Sequence, residues 1–206
     1  MLRELVRHMF PRAVPADTLR LRYTFCLGGL AFTCLLTLGA TGLLLLFYYA
    51  PTPSDAHQSI QYLEAEVWGG TFVRSLHRLA SHGLLVLVGL HAVRVLLTGA
   101  FQAPRRFNWV VGCLLLFGCV VEAYLGYLLP MDQLGYWATL TGMELLRSLP
   151  LGGVVRAVLV PDAVGGALSL LRFFALHVAV LPLFLLSLSM LHFFVIRRQK
   201  GLLPYL

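Results

Sequence analysis

Four stretches of the chain stay apolar for about the 20 residues that a helix needs to cross a bilayer. They run over Phe25–Tyr49, Leu76–Leu97, Trp109–Leu129 and Phe173–Ile196. A polar loop opened by Pro51 and Pro53 separates the first two spans, and the longer segment Pro130–Arg172 separates the third and fourth. That segment is rich in Gly and Pro but too apolar to lie free in water, so the pattern predicts short surface helices there. Ahead of the first span, Leu2, Leu5, Val6 and Met9 share one helical face, with Arg3, Glu4, Arg7 and His8 opposite and Pro11 closing the run. This predicts a short amphipathic helix lying on a membrane surface. The predicted fold class is an all-α integral membrane protein: a four-transmembrane-helix bundle with a short N-terminal amphipathic surface helix. No internal repeat is visible, and residues 1–206 read as a single membrane domain.

Composition points the same way. Of 206 residues, 59% are apolar and 12% are charged, about half the charged share of a soluble domain. The net charge of +7 does not imply nucleic acid, because the basic residues sit at the ends of the apolar runs, where topology signals belong. Eleven of the sixteen Lys and Arg fall on one side: Arg3, Arg7, Arg12, Arg20, Arg22, Arg94, Arg105, Arg106, Arg197, Arg198 and Lys200. Both termini are therefore expected on the cytoplasmic or equivalent negative side. The N-terminus shows no small-residue cleavage site and reads as lacking a removable signal peptide. Four cysteines lie in apolar runs without a CxxC or CxxCH pattern, which argues against a disulfide framework or a zinc site.

Ionisable residues inside spans are rare and usually functional. His77 and His91 lie 14 residues apart in the second span; His177 and His192 lie 15 apart in the fourth. At 100° per residue these spacings miss whole turns by about 40° and about 60°, so each pair shares roughly one helix face, with its members about 21 Å apart along the axis. The second and fourth spans run in the same direction. His77 is thus expected to face His177 near the positive side, and His91 to face His192 near the negative side. Imidazole is a good axial ligand for haem iron, and a bundle interior is a normal cofactor site. Two bis-histidine haems fit this arrangement. The competing reading is four unrelated histidines, each bonded to nearby backbone. Gly28 and Gly42 in the first span, and Gly112 and Gly126 in the third, repeat the 14-residue spacing. Glycine lets a flat group approach the backbone, although small residues also serve helix packing in membranes.

These residues carry a resemblance to the cytochrome b6 branch of the cytochrome b family, the N-terminal, haem-binding half of a split cytochrome b in Rieske/cytochrome b and b6f-type complexes. The matching stretches include Phe25–Cys34, Ala40–Gly42, Ser59–Val67, Arg74–Arg78, Leu90–Phe101, Gly126–Pro130, Asp132–Ala138, Arg172–His177, Val180–Pro182 and His192–Gln199, and they cover nearly the whole chain. The resemblance implies that His77 and His177 ligate the positive-side haem b, and His91 and His192 the negative-side haem b. It implies that Arg74 and Arg94 lie near haem propionates, that Cys34 carries a third, covalently attached haem, and that Arg197 lies beside it. Small-residue packing is the alternative for Cys34, and the expected role for Cys26, Cys113 and Cys119. The resemblance further implies a quinol pocket near Asp132, Tyr136, Trp137 and Met143, with quinone or quinol as substrate.

Two features depart from the family pattern. Met131 stands where the family usually has Trp. His82 stands where a small residue is usual, and is expected to be a hydrogen-bonded packing residue. Glu122, inside the third span, is expected to be neutral and bonded to a helix carbonyl, with proton relay as the alternative.

The implied activity is quinol oxidation coupled to proton translocation, performed as one subunit of an oxidoreductase and not by this chain alone. The implied partners are membrane lipid, a second cytochrome b subunit completing the quinol site, a Rieske iron–sulfur protein, a c-type cytochrome and a second copy in a homodimeric complex. The implied location is a bacterial inner membrane or a thylakoid-type membrane. A dihaem b-type membrane anchor linking a dehydrogenase to the quinone pool is the alternative function.

Overall fold

A computed structural model describes residues 25–198; the expected amphipathic helix at the N-terminus lies outside them. The described chain forms α1 (Leu27–Leu46), α2 (Ala56–Ala65), α3 (Gly70–Leu97), α4 (Arg106–Leu128), α5 (Gln133–Arg147), α6 (Gly152–Leu159), α7 (Ala167–Ala175), a π-helical turn (Leu176–Val180) and α8 (Leu181–Arg198). Among the described residues, four helical runs are long and apolar enough to cross a membrane: α1, α3, α4 and the continuous stretch Ala167–Arg198. The last three begin earlier than hydropathy placed them. The first turns of α3 and α7 carry polar groups that find local partners, Thr71 and Arg74 on Glu64 and Ser169 on Asp162.

The chain divides into two compact units. One comprises the described residues up to Leu36, Ala80–Val120 and those from Leu183 onward; the other comprises Thr37–Leu79 and Val121–Pro182.

In the Thr37–Leu79 and Val121–Pro182 unit, a core of Ala56, Leu125, Leu128, Met143, Leu170 and Phe173 joins the helix ends to the short helices. The predicted surface helices are present as α5 and α6, and the first loop adds α2. After α1 the Tyr49 hydroxyl donates to the Leu129 carbonyl (2.7 Å), and the Tyr49 ring stacks on Phe174 at 5.6 Å. Tyr124 donates to the Ala138 carbonyl (2.9 Å), tying α5 to α4. Asp132 caps α5 by accepting from the Gly135 N–H at 2.7 Å. Asp162 accepts from the Leu168 and Ser169 N–H groups and the Ser169 hydroxyl, which fixes the start of α7. A Cβ at Gly166 would overlap that carboxylate, so only glycine admits it. The π turn precedes Pro182, which has no N–H and crowds the carbonyl four residues before it. The Leu181 N–H instead reaches the Leu176 carbonyl, five residues back.

Among the described residues, the other unit consists of stretches of the long helices and the turn between α3 and α4. Ala31, Ala80, Leu84, Val111, Cys119 and Leu185 form its buried positions. Phe32 meets Phe193 edge-on at 5.0 Å. Gly118 packs so closely on Leu185 that a Cβ there would come within 2.8 Å of the leucine side chain.

In both units large apolar side chains point outward, among them Leu43, Leu79, Phe117 and Leu183. In water this would be a severe liability, whereas in a bilayer it is the solvated face. Tyr48, Trp68, Tyr127 and Trp137 are exposed near helix ends in the Thr37–Leu79 and Val121–Pro182 unit, the positions that aromatic side chains take at a membrane interface.

Candidate metal centres

Each unit contains one histidine pair. In the Thr37–Leu79 and Val121–Pro182 unit, α3 supplies His77 and the π turn supplies His177; their ring centroids are 6.3 Å apart and the planes are inclined by 76°. In the other unit, α3 supplies His91 and α8 supplies His192, with centroids 6.5 Å apart and planes inclined by 79°. An ion held between two imidazoles needs two bonds of about 2.0–2.1 Å plus about 1.1 Å from each nitrogen to its ring centre, a separation of about 6.3 Å. Both pairs meet that requirement. Among the described residues no group of three or more His, Cys, Asp or Glu side chains converges to hold an ion. Two imidazoles at this separation suit a metal that brings its remaining ligands with it, as haem iron does.

The four glycines stand against the four rings. A Cβ at Gly42 would lie 3.3 Å from His77 Cε1, and at Gly126 2.5 Å from His177 Cε1. A Cβ at Gly28 would lie 3.5 Å from His91 Cε1, and at Gly112 3.4 Å from His192 Cε1. Their first effect is to leave room for the imidazoles themselves. The constraint is severe at Gly126 and mild at Gly28.

The outer ring nitrogens of His77 and His177 fix how those rings point. His77 Nδ1 lies 2.8 Å from the Thr41 hydroxyl, which itself donates to the Thr37 carbonyl at 2.7 Å. The hydroxyl proton being spent, Thr41 accepts the Nδ1 hydrogen and leaves Nε2 as the free donor atom for a metal. His177 Nδ1 lies 3.1 Å from the Glu122 carbonyl and 3.0 Å from Glu122 Oε1. Glu122 is thus engaged with a histidine and not, as expected from the sequence, with a helix carbonyl: the π turn brings His177 to it. His192 Nδ1 is buried and has no hydrogen-bond partner of acceptable geometry; the Asn108 backbone is beside it.

The other predicted residues are placed as follows. Cys34 is half-buried with a free thiol against Gly83, and a Cβ on Gly83 would be 3.5 Å from its sulfur. Arg94 lies in the last turn of α3 and Arg197 in the last turn of α8. Arg74 is ion-paired to Glu64. Asp132 is occupied as the α5 cap, and Tyr136 and Trp137 are exposed, in edge contact at 5.6 Å. Met143 is 4% exposed and packs in the core with Leu128 and Phe173. His82 is exposed, a correction to its expected packing role: it lies on the outward face of α3. Cys26 and Cys113 are likewise exposed, whereas Cys119 is buried. Thr41 was not singled out by sequence, although its place next to Gly42 was the available signal.

The model for the family described as cytochrome b/b6/petB matches residues 14–200. The chain belongs to the cytochrome b/b6 family. It is 41% identical over 187 residues to a cytochrome b6 of Heliomicrobium gestii, covering 90% of this chain and 87% of that protein. It is 42% identical over 177 residues to a cytochrome b6 of Synechocystis sp., covering 85% and 79%. A solved structure described as a hyperthermophilic respiratory Complex III superposes with a TM-score of 0.83 at 27% identity, covering 97% of this chain. The chain spans about half of that protein, 53% of its length. Family membership makes the chain a transmembrane, haem-bearing cytochrome b of electron transport.

Proposed function

We propose that the chain is the dihaem core subunit of a quinol-oxidising Rieske/cytochrome b complex, with one haem b in each unit. The observation that carries this reading is the pair of imidazole pairs, at 6.3 and 6.5 Å, each backed by two glycines whose missing Cβ atoms would touch the rings. His77 and His177 would hold one iron, and His91 and His192 the other. When bound, haem supplies reversible one-electron chemistry at its iron. The protein contributes orientation and surroundings. Thr41 and Glu122 hold Nδ1 of His77 and His177 so that Nε2 faces inward. The outward apolar faces keep the helices in lipid.

In this reading Cys34 attaches a third haem through a thioether, and Arg94 and Arg197 offer positive charge for carboxylate groups in the same unit. Tyr136 and Trp137 present an exposed aromatic surface on α5 suited to a quinol head group. The remaining walls of that pocket come from a second cytochrome b subunit; a Rieske protein and a c-type cytochrome accept electrons, and the complex is a homodimer. The Lys and Arg distribution sets both termini on the negative side.

A haem count on the purified complex, divided into acid-acetone-extractable and protein-retained fractions, tests this. Two extractable haems and one retained per chain are expected. Two extractable and none retained would remove the Cys34 assignment. No haem in the folded chain would overturn the reading.

A further inference from the structure

We propose that Glu122 is a positioning residue for the ligand His177, and that its carboxyl group lowers the reduction potential of the haem held by His77 and His177. The proposal rests on that pair being haem ligands. Glu122 and Gly126 are four residues apart on α4 and so share one face. Gly126 opens the gap that the His177 ring enters, and Glu122, one turn earlier, meets the far nitrogen of the same ring. Its Oε1 is 3.0 Å from His177 Nδ1, and its own carbonyl is 3.1 Å from the same atom. Both side chains are largely buried, 16% and 17% exposed. Glu122 Oε2 is buried with no hydrogen-bond partner, so His177 is the specific contact of this carboxyl group.

Nδ1 has one hydrogen, which the Glu122 carbonyl and Oε1 share, and a carboxyl oxygen that takes part in this does two things. It fixes the tautomer and rotation of the ring, and it pushes electron density toward Nε2, making the ligand more basic. A more basic ligand favours ferric over ferrous iron, which lowers the potential. His77 in the same unit has neutral partners, the Thr41 hydroxyl and the Leu38 backbone. In the other unit His192 Nδ1 has no such side chain.

The test is a redox titration of the assembled wild-type, Glu122→Gln and Glu122→Leu complexes, resolving the haems by their absorption bands. Glu122→Leu is expected to raise the potential of the His77/His177 haem and leave the His91/His192 haem in place. Glu122→Gln, which keeps an amide oxygen for Nδ1, is expected to raise it by less. If Glu122→Leu loses that haem, Glu122→Gln decides: an upward shift upholds the proposal and an unchanged potential overturns it. Equal shifts of both haems, or failure of Glu122→Gln to assemble, would place Glu122 in the general fold and also overturn it. Absence of haem from the wild-type complex would sink the underlying reading of the histidines instead.

Discussion

In the Thr37–Leu79 and Val121–Pro182 unit both imidazoles have a side-chain partner on Nδ1, Thr41 for His77 and Glu122 for His177. In the other unit His192 Nδ1 has none. The ring separations differ by only 0.2 Å, 6.3 against 6.5 Å. The glycine cradles differ more: a Cβ at Gly126 would come to 2.5 Å of its ring, while one at Gly28 would make an ordinary contact at 3.5 Å. Nearly the same ring geometry is therefore held in two surroundings, one tightly enclosed and polar at the outer nitrogens, the other looser. In the proposed reading, ring spacing decides that iron can be bound. The surroundings decide how firmly each ring is oriented and how electron-rich it is.

The largest break in this comparison should come from the glycines. Gly126→Val would force the His177 ring out of place, and the haem at His77/His177 should be lost from the assembled protein. Gly28→Ala should leave the haem at His91/His192 bound. Dithionite-reduced difference spectra, normalised to subunit, would show both outcomes; equal haem loss in the two variants would erase the distinction. A smaller effect is expected from Thr41→Val, which removes the acceptor of His77 Nδ1–H. Leaving a buried donor unsatisfied costs about 1–3 kcal/mol, and Thr41→Ser should restore it. Haem retention during detergent washing would measure this.

The smallest effect concerns Asp162, in the same unit. Its carboxyl is held below its ordinary 3.8 chiefly by the Ser169 hydroxyl, with the Leu168 and Ser169 N–H groups adding to this. A depressed folded value means that the capping contribution is present above 3.8 and is lost as pH falls through the lower, folded value. The protection factors of the amides of residues 167–170, corrected for the intrinsic pH dependence of exchange, should therefore fall in acid for the native chain, and be low and insensitive to acid for Asp162→Asn.

The pairing of His77 with His177 and of His91 with His192 was legible in the sequence because imidazoles in apolar spans are costly and their spacing repeats. The 15-residue interval from His177 to His192 left a phase mismatch against the 14 of His77 to His91. The π turn Leu176–Val180 explains it, since such a turn takes up one extra residue. Pro182 was the cue. What hydropathy missed were the polar first turns of α3 and α7, where Arg74 pairs with Glu64 and Asp162 caps the helix. The partner of Glu122 was illegible for a different reason. It depends on how α4 and the π turn pack, and no single-helix pattern encodes that.

The central claim is that each histidine pair holds its own haem, and His91→Leu in the assembled complex tests it most directly. The account predicts loss of the haem at His91/His192, with the haem at His77/His177 retained and its spectrum and potential little changed. Retention of both haems b, or loss of both from a subunit that still assembles, would contradict it.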